Sequence, residues 1–141
     1  MKIPSYRIAL IREGEINYTV SGINDAIEIA SKILPSNLDR EQFWVLLLDT
    51  KHNVVGANCV SIGTIDASLV HPREVFKAAI LANCSAIILA HNHPSGNVAP
   101  SPEDKEITMR LVSAGKILGI RVLDHIIVGD ETFSFSANEM I

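Results

Sequence analysis

Two histidines two residues apart, His91 and His93, stand at the end of an all-apolar run, Ala86–Ala90. An acid, Asp104, follows after ten intervening residues that include Pro94, Gly96, Pro100 and Pro102. Residues i and i+2 of a strand share a face, so both imidazoles can leave the strand end pointing one way. The Pro- and Gly-bearing segment then turns back into a pattern that starts a helix, with Asp104 in its first turn. Two neutral nitrogens and one carboxylate oxygen suit a borderline divalent ion, zinc above all. Three protein ligands leave a fourth position open, as catalytic rather than structural zinc sites do. Asp104 also has a blander reading. Ser101 and Asp104 have the spacing of a capping box, and Pro102 fits the first helical position. On spacing alone the two roles are evenly matched, and His-x-His alone is a weak signal.

A hydrolase needs a proton carrier that is not itself a ligand. Glu41 precedes the apolar run Phe43–Leu48, at the edge of a core strand. As a lone residue it reads first as a solvated acid beside Arg40. Glu103, Glu106 and Asp124 are weaker candidates. Asp124-His125 falls inside a strand pattern, where a pair satisfied by hydrogen bonds is favoured over a ligand pair, and support of the metal from behind its ligands is the sharper alternative. His71, before Pro72, reads as a helix cap, and His52 as a solvated turn residue. Asn92 alternates away from the two histidines and organises the loop.

The elements that must position these groups are readable in outline. Tyr6–Val20 alternates weakly around Glu13-Gly14, a hairpin signal, and reads as peripheral. A helical pattern opens at Asn24, with Ile27, Ala30, Ile33 and Leu34, and Pro35 stops it. Phe43–Leu48 and Val54–Ile62 pair as a β-hairpin. A second helix runs from Pro72 through Ala82-Asn83. Ser85–Ala90 is a buried strand, and His91–Pro100 a loop. The third helix runs from Ser101-Pro102 to Gly119, with Ile107, Leu111, Ala114 and Leu118 on one side. Arg121–Val128 and Thr132–Ser136 are strands around a Gly129-Asp130 turn. The order ββαββαβαββ points to an α+β fold, a three-layer, α/β-like arrangement with a mixed sheet flanked by helices.

Composition sets the frame. A chain of 141 residues with 48% hydrophobic and 20% charged residues is expected to form one domain, residues 1–141, with a real core. Within it, residues 1–36 are expected to form a peripheral hairpin and helix, and residues 37–136 the core that bears the motifs. Aromatic residues make up only 5%, so that core is aliphatic. The formal net charge of −4 argues against a nucleic-acid surface. Cys59 and Cys84 read as reduced, buried thiols rather than a disulfide framework. No apolar segment approaches the length needed to span a membrane, and no signal peptide is visible. The expectation is a cytoplasmic protein without membrane partners. Nothing fixes the oligomeric state, which leaves room for a homo-oligomer.

The order Glu41, then His91-Asn92-His93, then Ser101-Pro102-Glu103-Asp104 resembles the JAMM motif of JAB/MPN-domain metallopeptidases. The phrases H-N-H-P-S-G, P-S-P-E-D, V-H-P-R-E-V-F and G-I-R-V-L-D-H-I-I-V-G are similar to the RadC-type branch, and the likeness runs from about Asp39 to Ser136. The resemblance implies a fold like that of the cytidine deaminases, although H-x-E and P-C-x-x-C are absent and a deaminase is set aside. It implies zinc held by His91, His93 and Asp104 with a water as fourth ligand, Glu41 as the base that takes that water's proton and returns it to the leaving amine, and Ser101 as a hydroxyl that helps the metal stabilise the oxyanion. The substrate class would be an amide or isopeptide bond in a peptide or protein. A catalytically silent binding module and a DNA-repair-associated accessory protein are the alternatives. RadC-type proteins usually carry an N-terminal helix-hairpin-helix element. The residues before Glu41 show no such glycine-bearing hairpin, so DNA binding is not expected of this chain.

Overall fold

Alternation along the apolar runs organises the molecule. The computed structural model describes residues 1–11, 18–35, 37–65 and 70–141. Its elements in chain order are β1 (Tyr18–Thr19), α1 (Ile23–Ile33), β2 (Gln42–Leu48), β3 (Asn53–Ile62), α2 (Pro72–Leu81), β4 (Ala86–Asn92), α3 (Pro102–Leu118), β5 (Arg121–Val128) and β6 (Thr132–Ser134). The strands form one mixed sheet in the order β1-β3-β2-β4-β5-β6. Among the described strands only β4 and β5 run parallel, and α3 is the crossover between them. The fold is α+β, with the sheet between helices, as the sequence implies.

Phe43, Val45 and Leu47 of β2 and Ile87 and Leu89 of β4 point to one face, where they meet Val75, Phe76 and Ala79 of α2 and Ile107 and Leu111 of α3. Leu46, Leu48, Ile88 and Ala90 point to the other face and pack on Ala26, Ile29 and Ala30 of α1. The same alternation assigns the polar residues at the strand ends. Glu41 and His91 share parity with Phe43 and Leu89, so they belong to the α2/α3 face. Asn92 falls on the face of α1.

Five expectations need correction. Tyr6–Ile11 forms no strand and is exposed throughout. Its alternating Tyr6, Ile8 and Leu10 have no sheet to cover, and the Glu13-Gly14 turn lies outside the described residues. Helix α1 is not peripheral, because its Ala26, Ile29 and Ala30 are buried against the sheet. β4 runs two residues past the apolar run, since His91 and Asn92 continue the parallel ladder opposite Ile127 and Val128. Strand β6 stops at Ser134, where hydrogen bonds back to Ser134 and Phe135 turn the chain. The cysteines divide as well. Both are free, Cys84 buried and Cys59 half-buried, and burial raises both thiols. Among the described residues, no helix is long and apolar enough to cross a membrane.

The loop after β4 is clamped onto the β5–β6 turn. The His93 N–H donates to the Val128 carbonyl at 2.9 Å, and the Asp130 N–H donates to the Gly96 carbonyl at 2.9 Å. Gly96 has φ +88, a left-handed conformation that favours glycine. A Cβ on Gly129 would sit 2.5 Å from the Gly96 carbonyl oxygen. Gly129→Ala therefore forces the loop outward. It is expected to cost about 1–3 kcal/mol of stability and to weaken metal binding through His93, read by thermal unfolding and by zinc titration against a chelator.

Candidate metal centre

The three residues singled out by spacing do converge. Each offers one atom to a cluster in which those atoms all lie within 4.8 Å of one another. His91 Nε2 lies 3.0 Å from His93 Nε2 and 3.2 Å from Asp104 Oδ1, and His93 Nε2 lies 3.0 Å from Asp104 Oδ2. Zinc bonds of about 2.0–2.2 Å put tetrahedral ligand atoms roughly 3.3–3.6 Å apart, so the cluster needs only a slight expansion to hold such an ion. His91 and Asp104 are buried and His93 is half-buried, so one side of the cluster faces outward.

Local structure explains each placement. His91 ends β4, and its ring stacks on Phe43 of the neighbouring strand with centroids 5.8 Å apart. His93 lies just past the strand, and its Nδ1–H donates to the Asn97 carbonyl at 2.7 Å. That bond fixes the ring and turns Nε2 toward the cluster, the usual arrangement behind a metal-bound histidine. Asp104 is held by the start of α3. Ser101 Oγ accepts from the Asp104 N–H at 3.0 Å, and Asp104 Oδ2 accepts from the Ser101 N–H at 2.9 Å. The two readings of Asp104 are compatible in this geometry. It closes the capping box and also offers oxygens to both imidazoles.

The electrostatics agree with a cation site. Burial pushes the Asp104 carboxyl up, but hydrogen bonds from His91 and His93 outweigh it and hold the group well below the usual carboxylate range. The hydrogen bond to Asp104 raises His93 above its ordinary value, with a smaller contribution from the Glu41 charge. A carboxylate that stays ionised beside two imidazoles is a donor set for zinc or a similar borderline divalent ion.

Glu41 stands at the entrance to β2, just before Gln42, and strand parity assigns it to the face of His91. Its carboxylate accepts from the Ile65 N–H at 3.1 Å, and its carbonyl accepts from the Gly63 N–H at 2.7 Å. Asn92 fastens the chain on both sides of it. The Asn92 side-chain Oδ1 accepts from the Gln42 N–H at 2.7 Å, and its Nδ2 donates to the Arg40 carbonyl at 3.0 Å. The residue between the two histidines thus ties their strand to the segment carrying Glu41. Of the weaker acids, Glu103 and Glu106 are exposed on α3. Asp124 is buried, and its oxygens accept from the His125 and Ser136 N–H groups and the Ser134 hydroxyl. His71 caps α2 by accepting from the Arg73 N–H, and His52 is an exposed turn residue at φ 60.

Sequence reasoning leaned toward a self-contained Asp124-His125 pair. Asp124 fits that description. His125 does not, because its ring lies directly behind His91, with His125 Nε2 2.7 Å from His91 Nδ1. Thr108, one helical turn after Asp104, was missed altogether. Its Oγ1 lies 2.6 Å from His125 Nδ1 and donates to the Asp104 carbonyl at 2.7 Å. The i,i+4 step from Asp104 is the only trace of it in the sequence.

Comparison with known proteins matches the chain to a family. A RadC-like JAB domain is recognised over residues 20–140. Among curated proteins, a UPF0758 protein of Rubrobacter xylanophilus is 57% identical over 106 residues, covering 75% of this chain and 47% of that one. A UPF0758 protein of Desulforudis audaxviator is 50% identical over 128 residues, covering 91% of this chain and 55% of that one. One from Caldanaerobacter subterraneus is 49% identical over 124 residues, covering 88% and 52%. The chain spans about half the length of these relatives. With the match running from Val20, just after β1, through the His91–His93–Asp104 cluster to the C-terminal turn, the chain belongs to the RadC-like JAB domain family.

Proposed function

We propose that the chain is a zinc-dependent hydrolase of amide or isopeptide bonds in peptides or proteins. The observation that carries the reading is the His91–His93–Asp104 cluster, with Glu41 at the entrance to β2 and its charge close enough to act on His93. The ion would be held by Nε2 of each histidine and by the Asp104 carboxylate. Once bound, it would supply an acidified water and polarise a carbonyl oxygen. Glu41 would take a proton from water and pass it to the leaving amine. That role suits a carboxylate held by the Ile65 N–H near the cluster rather than inside it. Ser101 would steady the developing negative charge. Its Oγ already accepts from the Asp104 N–H, so its own proton is the one it has to offer. The exposed side of His93 gives the substrate its approach.

The test is a peptide and isopeptide library incubated with zinc-loaded protein in oxygen-18 water, read by mass spectrometry. New carboxyl termini carrying the heavy isotope are expected. A zinc-loaded chain that cleaves nothing across the library would favour the silent binding module. DNA binding that weakens with salt would favour the repair-associated reading. Ser101→Ala is expected to keep zinc, to cost about 1 kcal/mol by removing the cap, and to slow hydrolysis by about 10²–10³ through the lost donor. Zinc content, thermal unfolding and turnover separate these three effects.

A further inference from the structure

We infer that His125 and Thr108 are positioning residues of the metal centre, joining its first ligand to its third through one directed chain of hydrogen bonds. The chain runs from His91 Nδ1 to His125 Nε2 at 2.7 Å, from His125 Nδ1 to Thr108 Oγ1 at 2.6 Å, and from Thr108 Oγ1 to the Asp104 carbonyl at 2.7 Å. It starts on the strand ligand and ends on the backbone of the helix ligand. All its members are buried, with His91, Thr108 and His125 at most 1% exposed, so water cannot substitute for a missing partner. The inference rests on the cluster being a metal site and does not depend on the reaction proposed for it.

Chemistry gives the chain one direction when a cation is present. A cation on His91 Nε2 requires the lone pair there, so the ring proton sits on Nδ1. That N–H needs an acceptor, and His125 Nε2 is the atom in front of it. With Nε2 accepting, the single proton of His125 is on Nδ1 and is donated to Thr108 Oγ1. The threonine hydroxyl has one proton, and it goes to the Asp104 carbonyl. Every donor has an acceptor, and no buried polar side-chain atom among the described residues is left unpartnered. Aromatic walls hold His125 in this pose. Phe135 stacks on it at 4.8 Å with an 11° interplanar angle, and Phe43 meets its edge at 5.5 Å. Asp124 accepts from the His125 and Ser136 N–H groups and the Ser134 hydroxyl, which ties Phe135's segment back to β5.

The consequence is a preset angle between two ligands from different elements. His91 cannot rotate about χ2 without breaking the bond to His125, and α3 cannot slide along the sheet without stretching the bond to Thr108. Outer partners of this kind are typically worth about 10–100-fold in metal affinity. The experiment is zinc affinity of the full chain, by chelator competition, for the wild type, His125→Leu, His125→Gln, Thr108→Val and Thr108→Ser, with unfolding of each metal-free protein alongside. His125→Leu and Thr108→Val are expected to lose about 10–100-fold and several-fold respectively. His125→Gln keeps an acceptor at the Nε2 position and Thr108→Ser keeps the hydroxyl, so both are expected to recover most of the loss. A nitrogen-15 spectrum of the zinc-loaded wild type should place the ring proton on Nδ1 of both His91 and His125. Equal affinity in all five proteins, or an Nε2-protonated His125 in the loaded state, overturns the inference. So does loss of affinity that merely follows loss of stability, with no recovery in Gln or Ser. Failure of the library to be cleaved leaves these readouts unchanged, so the inference and the proposed reaction can fail separately.

Discussion

Asp104→Ala is expected to abolish stoichiometric zinc binding and to destabilise the metal-free protein. Its two carboxylate oxygens serve three partners: His91 Nε2 at 3.2 Å, His93 Nε2 at 3.0 Å and the Ser101 N–H at 2.9 Å. Alanine removes the only charged ligand, so affinity should fall well beyond the roughly 100-fold typical of an outer partner. It also opens the capping box and leaves the buried His91 Nε2 without its carboxylate, which together should cost about 1–3 kcal/mol. Asp104→Asn separates the two effects. Its amide oxygen can still accept from Ser101, so stability should largely recover, whereas the lost negative charge should keep the zinc affinity low. Chelator competition and thermal unfolding of the two variants check both halves. An alanine variant that keeps tight zinc would mean that Asp104 is a cap and nothing more.

Glu41→Gln is expected to do the opposite, leaving zinc affinity within a few-fold of wild type while hydrolysis falls by about 10²–10⁴. The glutamine oxygen can keep the bond from the Ile65 N–H, and the Asn92 bonds to Gln42 and Arg40 do not involve the side chain. The backbone around residue 41 should therefore not move. What glutamine cannot do is accept a proton and give it back. Zinc affinity and cleavage of whichever library peptide the wild type cuts fastest would be measured on the same preparation. Full activity in Glu41→Gln would remove Glu41 from the mechanism and leave the metal centre standing.

How far these roles were legible varies from residue to residue, for physical reasons. The His91/His93 pair is visible because strand alternation and a following rigid turn are both written in local residue types. The Ser101–Asp104 box is visible for the same reason, yet spacing cannot choose between cap and ligand, because one carboxylate has enough oxygens for both. The core strands are plain in their apolar runs. The extension of β4 through His91 and Asn92 is hidden, since polar residues at a strand end look like loop until the neighbours β2 and β5 are known. Glu41 looks like surface until parity with Phe43 puts it on the ligand face. His125 and Thr108 depend on contacts 34 and 17 residues apart in sequence, which no local pattern encodes. The N-terminal alternation of Tyr6, Ile8 and Leu10 is the converse case, a pattern with no partner surface among the described residues.

The central claim is that His91, His93 and Asp104 form one metal site. The direct measurement is zinc per chain, by elemental mass spectrometry after dialysis, for the wild type and for His91→Ala, His93→Ala and Asp104→Ala. One zinc per wild-type chain and a small fraction of that in each variant is the expected result. Undiminished zinc in all three variants, or none in a wild-type chain dialysed against excess zinc, would contradict it.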